Sequence, residues 1–448
     1  MTELNIDIFY LVFKELQNDE ETLYSCLSVN KTLCEIIIPI LWKDPWKFLK
    51  EGKEKLLLNV IISHLSNKQK DDLKDQGIDF LTNSSYQKPL FNYIGFCRYL
   101  NFDSINKIVN AIHEKSKISI IKSKVIDLFI NENTKFTHLY IPQRFDFQIL
   151  LSQRCFSNIE FLSCSAKIND IVLTGLTKIC KSIKELELVI TQSSNNYGIV
   201  RLIEASINID FLTINSDYDE SFCKILENSL IKHADTIQHF KITEPLATNV
   251  LSSFINLKIL ELSGKYYTET WDCLKNLSLP FLQVLKARRI PINVLASLIE
   301  NTNGNLIEIK IDYVSHDEIN NKRIIQAIYQ NCPYLEYLKL SLRNRNIIEF
   351  EKLLVNCKYL NEFLIDRLTS EFDWDNLFKV LTKSSPNRLF KFKFYSFILP
   401  SLDSLKLFFD NWEGKHPMLL QFSRMKKLEE YSDLIEEYKE KGIVKEWI

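Results

Sequence analysis

One phrase constrains this chain more than anything else in it. From about residue 135 onward, an apolar residue is followed three and five positions later by two more. The pattern is clean at Leu257/Leu260/Leu262, Ile183/Leu186/Leu188, Leu306/Ile309/Ile311, Leu335/Leu338/Leu340 and Leu389/Phe392/Phe394. Looser copies start at Phe136, Ile159, Ile209, Ile237, Leu282 and Leu360, and a weak one lies at Leu420/Phe422. Successive starts are 20 to 29 residues apart. The last two apolar residues of each phrase are two apart, so they share one side of a short strand. The segments between, such as Arg323 to Tyr329, carry helical periodicity. Such a unit cannot bury its apolar side alone and must stack on its neighbours.

The period falls in the range of leucine-rich repeats. The connection into the strand also repeats: Asn331-Cys332-Pro333-Tyr334-Leu335, Asn356-Cys357-Lys358-Tyr359-Leu360 and Ile179-Cys180-Lys181-Ser182-Ile183 each place a Cys three residues before the first apolar residue. A proline at 333 cannot continue a helix. This Cys-Pro-x-Leu phrase resembles the cysteine-containing class of leucine-rich repeats. The asparagine usual after the last strand leucine is mostly missing, with Lys265, Thr191 and Arg343 in its place, so something other than an asparagine ladder must satisfy the turn backbone. The expected fold class is α/β: an irregular leucine-rich-repeat solenoid over 135–424, a horseshoe of short parallel strands plus helices.

Composition narrows the chemistry. Only nine of 448 residues are glycine, about 2% against roughly 7% in an average protein. Phosphate-cradling loops need glycines, and no G-x-G-x-x-G or G-x-x-x-x-G-K is present. Lys+Arg is 56 against Asp+Glu 57, which gives no reason to expect a nucleic-acid or membrane partner. Met1-Thr2-Glu3-Leu4-Asn5-Ile6-Asp7 has no basic region of a signal peptide. Apolar runs such as Ile36 to Trp42 are far short of the roughly 20 residues that span a bilayer. The ten cysteines are scattered without a C-x-x-C pair and read as reduced, mostly buried thiols. A cytoplasmic and/or nuclear protein is expected.

The first 46 residues differ from the rest. Asp7 to Leu16 carries apolar side chains at 8, 9, 11, 12, 13 and 16, a wide helical stripe. A second segment runs Leu23 to Val29 and a third Lys31 to Ile38, closing on Pro39-Ile40-Leu41-Trp42-Lys43-Asp44-Pro45-Trp46. Three short helices make a marginal core that leans on a neighbour or a partner. These residues resemble the F-box: Leu4-Asn5-Ile6-Asp7 stands for the motif's opening Leu-Pro-x-Glu, followed by Ile8, Phe13 and Leu16. Leu23 to Lys31 stands for its central stretch and Leu41-Trp42 for its terminal Leu-Trp. Asn5 replaces the signature proline and Leu33 a common tryptophan. The chain is thus similar to F-box proteins with leucine-rich repeats. The resemblance implies the substrate-recognition subunit of an SCF-type cullin–RING ubiquitin ligase, docked on a Skp-family adaptor and through it a cullin. Leu4, Asn5, Ile8, Leu11, Leu16, Leu23, Cys26, Val29 and Leu33 would line the adaptor interface. The alternative is a repeat scaffold whose first helices only cap the array.

Residues 47–134 read as a helical connector and 425–448 as a capping helix, spaced by Leu428, Tyr431, Ile435 and Tyr438. No two of the seven histidines fit H-E-x-x-H, and no G-x-S-x-G elbow or kinase signature is present. We expect no catalysis, cofactor or metal. Binding is expected on the strand face alternating with the leucines: Glu185 and Glu187; His239 and Lys241; Glu261; Lys286 and Arg288; Glu308, Lys310 and Asp312; Tyr337 and Lys339; Glu362 and Asp366; Lys391, Lys393 and Tyr395. Its later half, Lys286 to Tyr395, mixes charge with tyrosine, a composition suited to an unidentified protein target.

Overall fold

The computed structural model describes residues 5–447 apart from 79–87, 113, 132, 144, 146–153, 191–195, 207–208, 210, 216–219, 266–269, 314–316, 369–371, 397–398, 413–414 and 424–428. The chain is a mixed α/β protein with parallel strands and many helices. It divides into two compact units, Met1–Ile209 and Asp210–Ile448.

The first unit opens with α1 (Ile6–Glu15), α2 (Glu20–Leu27) and α3 (Lys31–Trp42). Each starts on a side-chain cap. Asn5 accepts from the Asp7 amide, Asp19 from Thr22 and Asn30 from Leu33, which satisfies N–H groups a helix start leaves unpaired. The three pack around Phe13, Leu23, Ile36 and Ile37. Then come α4 (Glu54–Ser63), α5 (Asn67–Asp75), α6 (Tyr93–Phe96), β1 (Tyr99–Asn101), α7 (Phe102–Asn110), α8 (Ile118–Phe129), β2 (His138–Ile141), β3 (Phe161–Ser165), α9 (Asp170–Ile179), β4 (Glu185–Val189) and α10 (Tyr197–Ala205). Strands β1 to β4 pair parallel in chain order.

The second unit alternates in the same way: β5 (Phe211–Asn215), α11 (Glu220–Leu230), β6 (His239–Ile242), β7 (Ile259–Ser263), β8 (Val284–Arg288), α12 (Ile292–Glu300), β9 (Glu308–Asp312) and α13 (Glu318–Asn331). It continues with β10 (Tyr337–Leu340), α14 (Ile347–Asn356), β11 (Glu362–Leu368), α15 (Trp374–Ser384), β12 (Lys391–Ser396), α16 (Leu402–Asp410), β13 (Met418–Ser423), α17 (Glu429–Glu440) and β14 (Val444–Trp447). Strands β5 to β14 also pair parallel in chain order.

Every one of the eleven phrases marks a strand that starts two residues after its first apolar position. The first apolar residue packs inside the turn, and the next two point inward from the strand: Leu257, Leu260 and Leu262 are all at most 2% exposed. One hydrogen-bond device joins successive units. A carbonyl just before one strand accepts two consecutive N–H groups before the next, as Gln238 O does from Lys258 and Ile259 (2.8 and 2.9 Å) and Ile307 O from Glu336 and Tyr337 (2.8 and 3.0 Å). In the first unit the device begins at Lys43, whose carbonyl accepts from Arg98 and Tyr99 (2.9 and 3.2 Å).

Two details depart from the expected unit. Strands β1 and β14 carry no full apolar phrase. The return from β6 to β7 holds a 3-10 turn, Val250–Ser253, in place of an α-helix, because that interval is the shortest and the tighter coil closes it in fewer residues. Similar 3-10 turns lie at Arg154–Phe156 and Asp272–Leu274. Among the described residues, no helix is long and apolar enough to cross a membrane.

Helix side chains replace the missing asparagine ladder. Asn321 of α13, wholly buried, donates to Ser341 O (2.8 Å) and accepts from Arg343 N and Asn346 Nδ2 (both 3.0 Å) in the turn after β10. After β6, the carboxylate of Glu227 in α11 accepts from the amides of Ala247 and Thr248 (2.9 and 2.7 Å). The repeated cysteines serve the other turn. The Cys357 thiol lies 3.6 Å from the Cys332 carbonyl oxygen and the Cys180 thiol 3.9 Å from that of Phe156. Burial pushes the Cys180 and Cys357 thiols up to about 12, so they stay protonated and unreactive at neutral pH.

Candidate binding surfaces

The first surface is on α1. Phe9, Phe13 and Leu16 face the three-helix core, so Ile8, Leu11 and Val12 fall on the outer side at helical spacing. Ile8, Leu11 and Val29 are 47%, 59% and 64% exposed, and Asn5 is exposed at the cap. Leu16, Cys26 and Leu33 are half-buried against the core. Leu23 has no exposed area at all; it is a core residue, because a side chain filling the centre of so small a bundle cannot also face a partner. Leu4 lies outside the described residues. The expected interface set left out Ile6, Tyr10, Val12 and Tyr24, all exposed. The signal was there: α1 is apolar on more of its circumference than one core can cover.

The same unit has a cleft of about 450 Å³ lined by Tyr24 and Leu27 of α2, Trp42 of α3 and Leu56 and Leu57 of α4.

The second surface is the strand face of the second unit, over β6 to β12. Its charges are arranged in register. Lys241, Glu261, Lys286, Lys310 and Lys339 stand opposite one another on successive strands. Neighbouring strands are only about 4.8 Å apart, so stacked lysines repel unless carboxylates sit among them. Glu261 does this for two lysines, Lys286 at 2.8 Å and Lys241 at 4.0 Å, and its carboxylate also lies 3.4 Å from His239 Nε2. The His239 hydrogen bond, with Lys286 second, holds the Glu261 carboxyl down at about 2 against the cost of burial. Glu308 pairs with Lys310 at 2.8 Å, Asp312 with Lys339, and Glu362 with Lys393 and Lys391 at 2.9 and 3.8 Å. Tyrosines complete the pattern: Arg288 lies 4.5 Å over the Tyr313 ring, Lys310 4.5 Å over Tyr337 and Lys339 5.4 Å over Tyr395. Burial pushes the Tyr337 phenol up. The Asp366 side chain lies outside the described residues. Among the described side chains of this face, seven lysines and arginines meet four carboxylates, so the face carries a positive surplus.

The third surface is on the first unit and was not anticipated beyond Glu185 and Glu187. On the outward side of β1 to β3, the rings of Tyr99 and His138 stack at 3.7 Å, and Phe161 lies 5.3 Å from His138 and 4.9 Å from Tyr140. Strand β4 places Glu185 beside Phe161 and Glu187 beside Ser163. The aromatic residues before the apolar phrase positions were the only available signal, and β1 gave none.

Among the described residues, no group of His, Cys, Asp or Glu could hold a metal ion. No family model matches the chain, and no curated protein matches it. Among solved structures, the leucine-rich repeat-containing protein LegL7 from Legionella pneumophila is similar at 16% identity and a TM-score of 0.36, over 62% of this chain and 86% of that one.

Proposed function

We propose that the chain is a non-catalytic protein-binding repeat protein, its strand–helix units leucine-rich repeats, and that it serves as the substrate-recognition subunit of an SCF-type ubiquitin ligase. In this reading α1 docks a Skp-family adaptor, and the charged strand face of the second unit holds a target protein. The observation that carries it is the outward side of α1. Ile6, Ile8, Leu11 and Val12 are each roughly half or more exposed on a helix that already has a core-facing side. A water-facing apolar stripe of this kind is usual for a helix that meets a partner. The strand face suits a polar target, with preference for acidic segments from its positive surplus. Its charges are already paired, so a partner must exchange ion pairs and not merely add them, which favours specificity over raw affinity.

A second reading has an observation of its own. The Lys43 carbonyl plays the part that the carbonyls of Arg98, Thr137, Gln238 and Ile307 play in later units, and Trp46 Nε1 donates to Tyr99 O at 2.8 Å. Helices α1 to α3 are therefore joined to the first strand as a cap would be, in a scaffold without a ligase link.

Co-expression with a Skp-family adaptor and size-exclusion chromatography separates the two. The test variant is Ile8→Glu/Leu11→Glu, which leaves Phe13 and the helix caps in place. A one-to-one complex formed by the native chain and lost in a variant of unchanged circular dichroism supports adaptor docking. A folded native chain that ignores the adaptor leaves the scaffold reading.

A further inference from the structure

The aromatic face of the first unit has a chemistry that the charged face of the second lacks. Four rings are gathered on three neighbouring strands, in two rows set by the register. One row runs Tyr99, His138, Phe161, Glu185 and the other Asn101, Tyr140, Ser163, Glu187. All four rings are half-buried, so each keeps part of its surface in water. Each row begins at an uncharged residue and ends in a carboxylate.

Aromatic faces carry negative electrostatic potential and attract cations. Here the attraction is already in use at one margin, where Lys43 Nζ lies 5.6 Å over the Tyr99 ring. Among the described residues, Lys43 is the cation recorded against these four rings. The margin formed by Tyr140, Phe161 and β4 has carboxylates close by. Asp44, Glu187 and Glu185 all add to the burial that pushes the Tyr140 phenol up to about 12. The centre of the stack brings no opposing charge, because burial, and then Lys43, push the His138 imidazole down to about 4, leaving it neutral near pH 7. Ring faces, neutral hydroxyls and carboxylates within one or two strands of each other form a receptor for a flat or compact cation.

We propose that this face binds an arginine or lysine side chain of a basic peptide segment, with the Tyr140 and Phe161 rings taking the cation and Glu187 and Glu185 supplying the counter-charge. The aliphatic stem of the same side chain would lie along the ring edges, as long cationic residues do on apolar surface. The site goes beyond the target-binding reading above, which concerns other residues and a partner of opposite charge.

Fluorescence anisotropy of the full chain tests it with three labelled peptides: alternating Gly and Arg, the same with citrulline for arginine, and the same with glutamate. The arginine peptide should bind, and the other two should bind at least ten-fold more weakly. Glu187→Gln and Phe161→Leu should each weaken the arginine peptide at least five-fold; Tyr140→Leu substitutes for Phe161→Leu if the latter lowers the melting temperature. Absence of arginine binding, or equal binding of citrulline, overturns the proposal. So does binding lost in Glu187→Gln but kept in both ring variants, which would mean plain ion pairing without the rings. No adaptor is present in the assay and the second unit is unaltered, so failure here leaves the proposed function standing.

Discussion

Glu261 shows how much one residue can carry in this protein. It stands on β7 between Lys241 of β6 and Lys286 of β8, and it is the carboxylate that separates these two lysines in their row. Its carboxyl titrates at about 2 in the folded chain, against roughly 4.3 in an unfolded one. A depressed carboxyl contributes stability that is present above the unfolded value and lost as pH falls through the folded value. Glu261→Gln should therefore cost about 1–2 kcal/mol at pH 7, after allowing for solvent screening at a partly exposed site. The gap in melting temperature between native chain and variant should be constant from pH 7 to 5 and shrink between roughly pH 4.5 and 2. A pH-independent gap would mean that packing, not charge, makes the difference.

Without a regular asparagine ladder, the turns after β6 and β10 are closed by different helix side chains. In the unit around β10 the turn depends on Asn321, a polar side chain projecting from the preceding helix with no exposed area. Removing it takes a partner from the half-buried Ser341 carbonyl and Arg343 amide and from the buried Asn346 side-chain amide, which keeps its bond to Glu318 O. A buried polar group left unpaired costs about 1–3 kcal/mol. Asn321→Ala should lower stability by roughly 1–3 kcal/mol, measured by thermal unfolding. Hydrogen exchange should then report loosened amides in 341–346 and in α13 before distant elements. A uniform loss of protection across the second unit would count against this local role. At β6 the same position is taken by a carboxylate, Glu227, which burial pushes toward the protonated form while the amides of Ala247 and Thr248 oppose it.

For an array of parallel strands, the ends are where the molecule is exposed to error. In the second unit α17 and β14 cover the β13 edge. Strand β14 pairs with β13, the Trp447 ring lies 5.2 Å from Phe422, and the Tyr438 hydroxyl donates to Asp410. Removing residues 424–448 would uncover the β13 edge together with Phe409 and Phe422, and an uncovered edge beside apolar surface is a template for association. The truncated chain should form higher-mass species by light scattering at concentrations where the native chain is uniform. A truncated chain of unchanged mass and melting temperature would show that β13 can serve as an end by itself.

The sequence alone determined where strands β2 to β12 lie. An apolar residue at positions one, four and six reports directly on which side chains a stacked unit must bury, and burial is a property of each residue's own chemistry. It also determined the helix starts, through Asn5, Asp19, Asn30, Asp317 and Asp373, each of which accepts from an amide two or three residues on. Tertiary structure decided the rest. Strand β1 is too short to write a phrase and exists because the Lys43 carbonyl holds its start and β2 pairs along it. Leu23 was indistinguishable by pattern from Leu11, and only packing put one in the core and the other in water. The ring stack of Tyr99, His138 and Phe161 joins residues up to 62 positions apart. No local pattern can encode that proximity, because it arises from register between strands whose spacing along the chain varies, and register is settled only when the units stack.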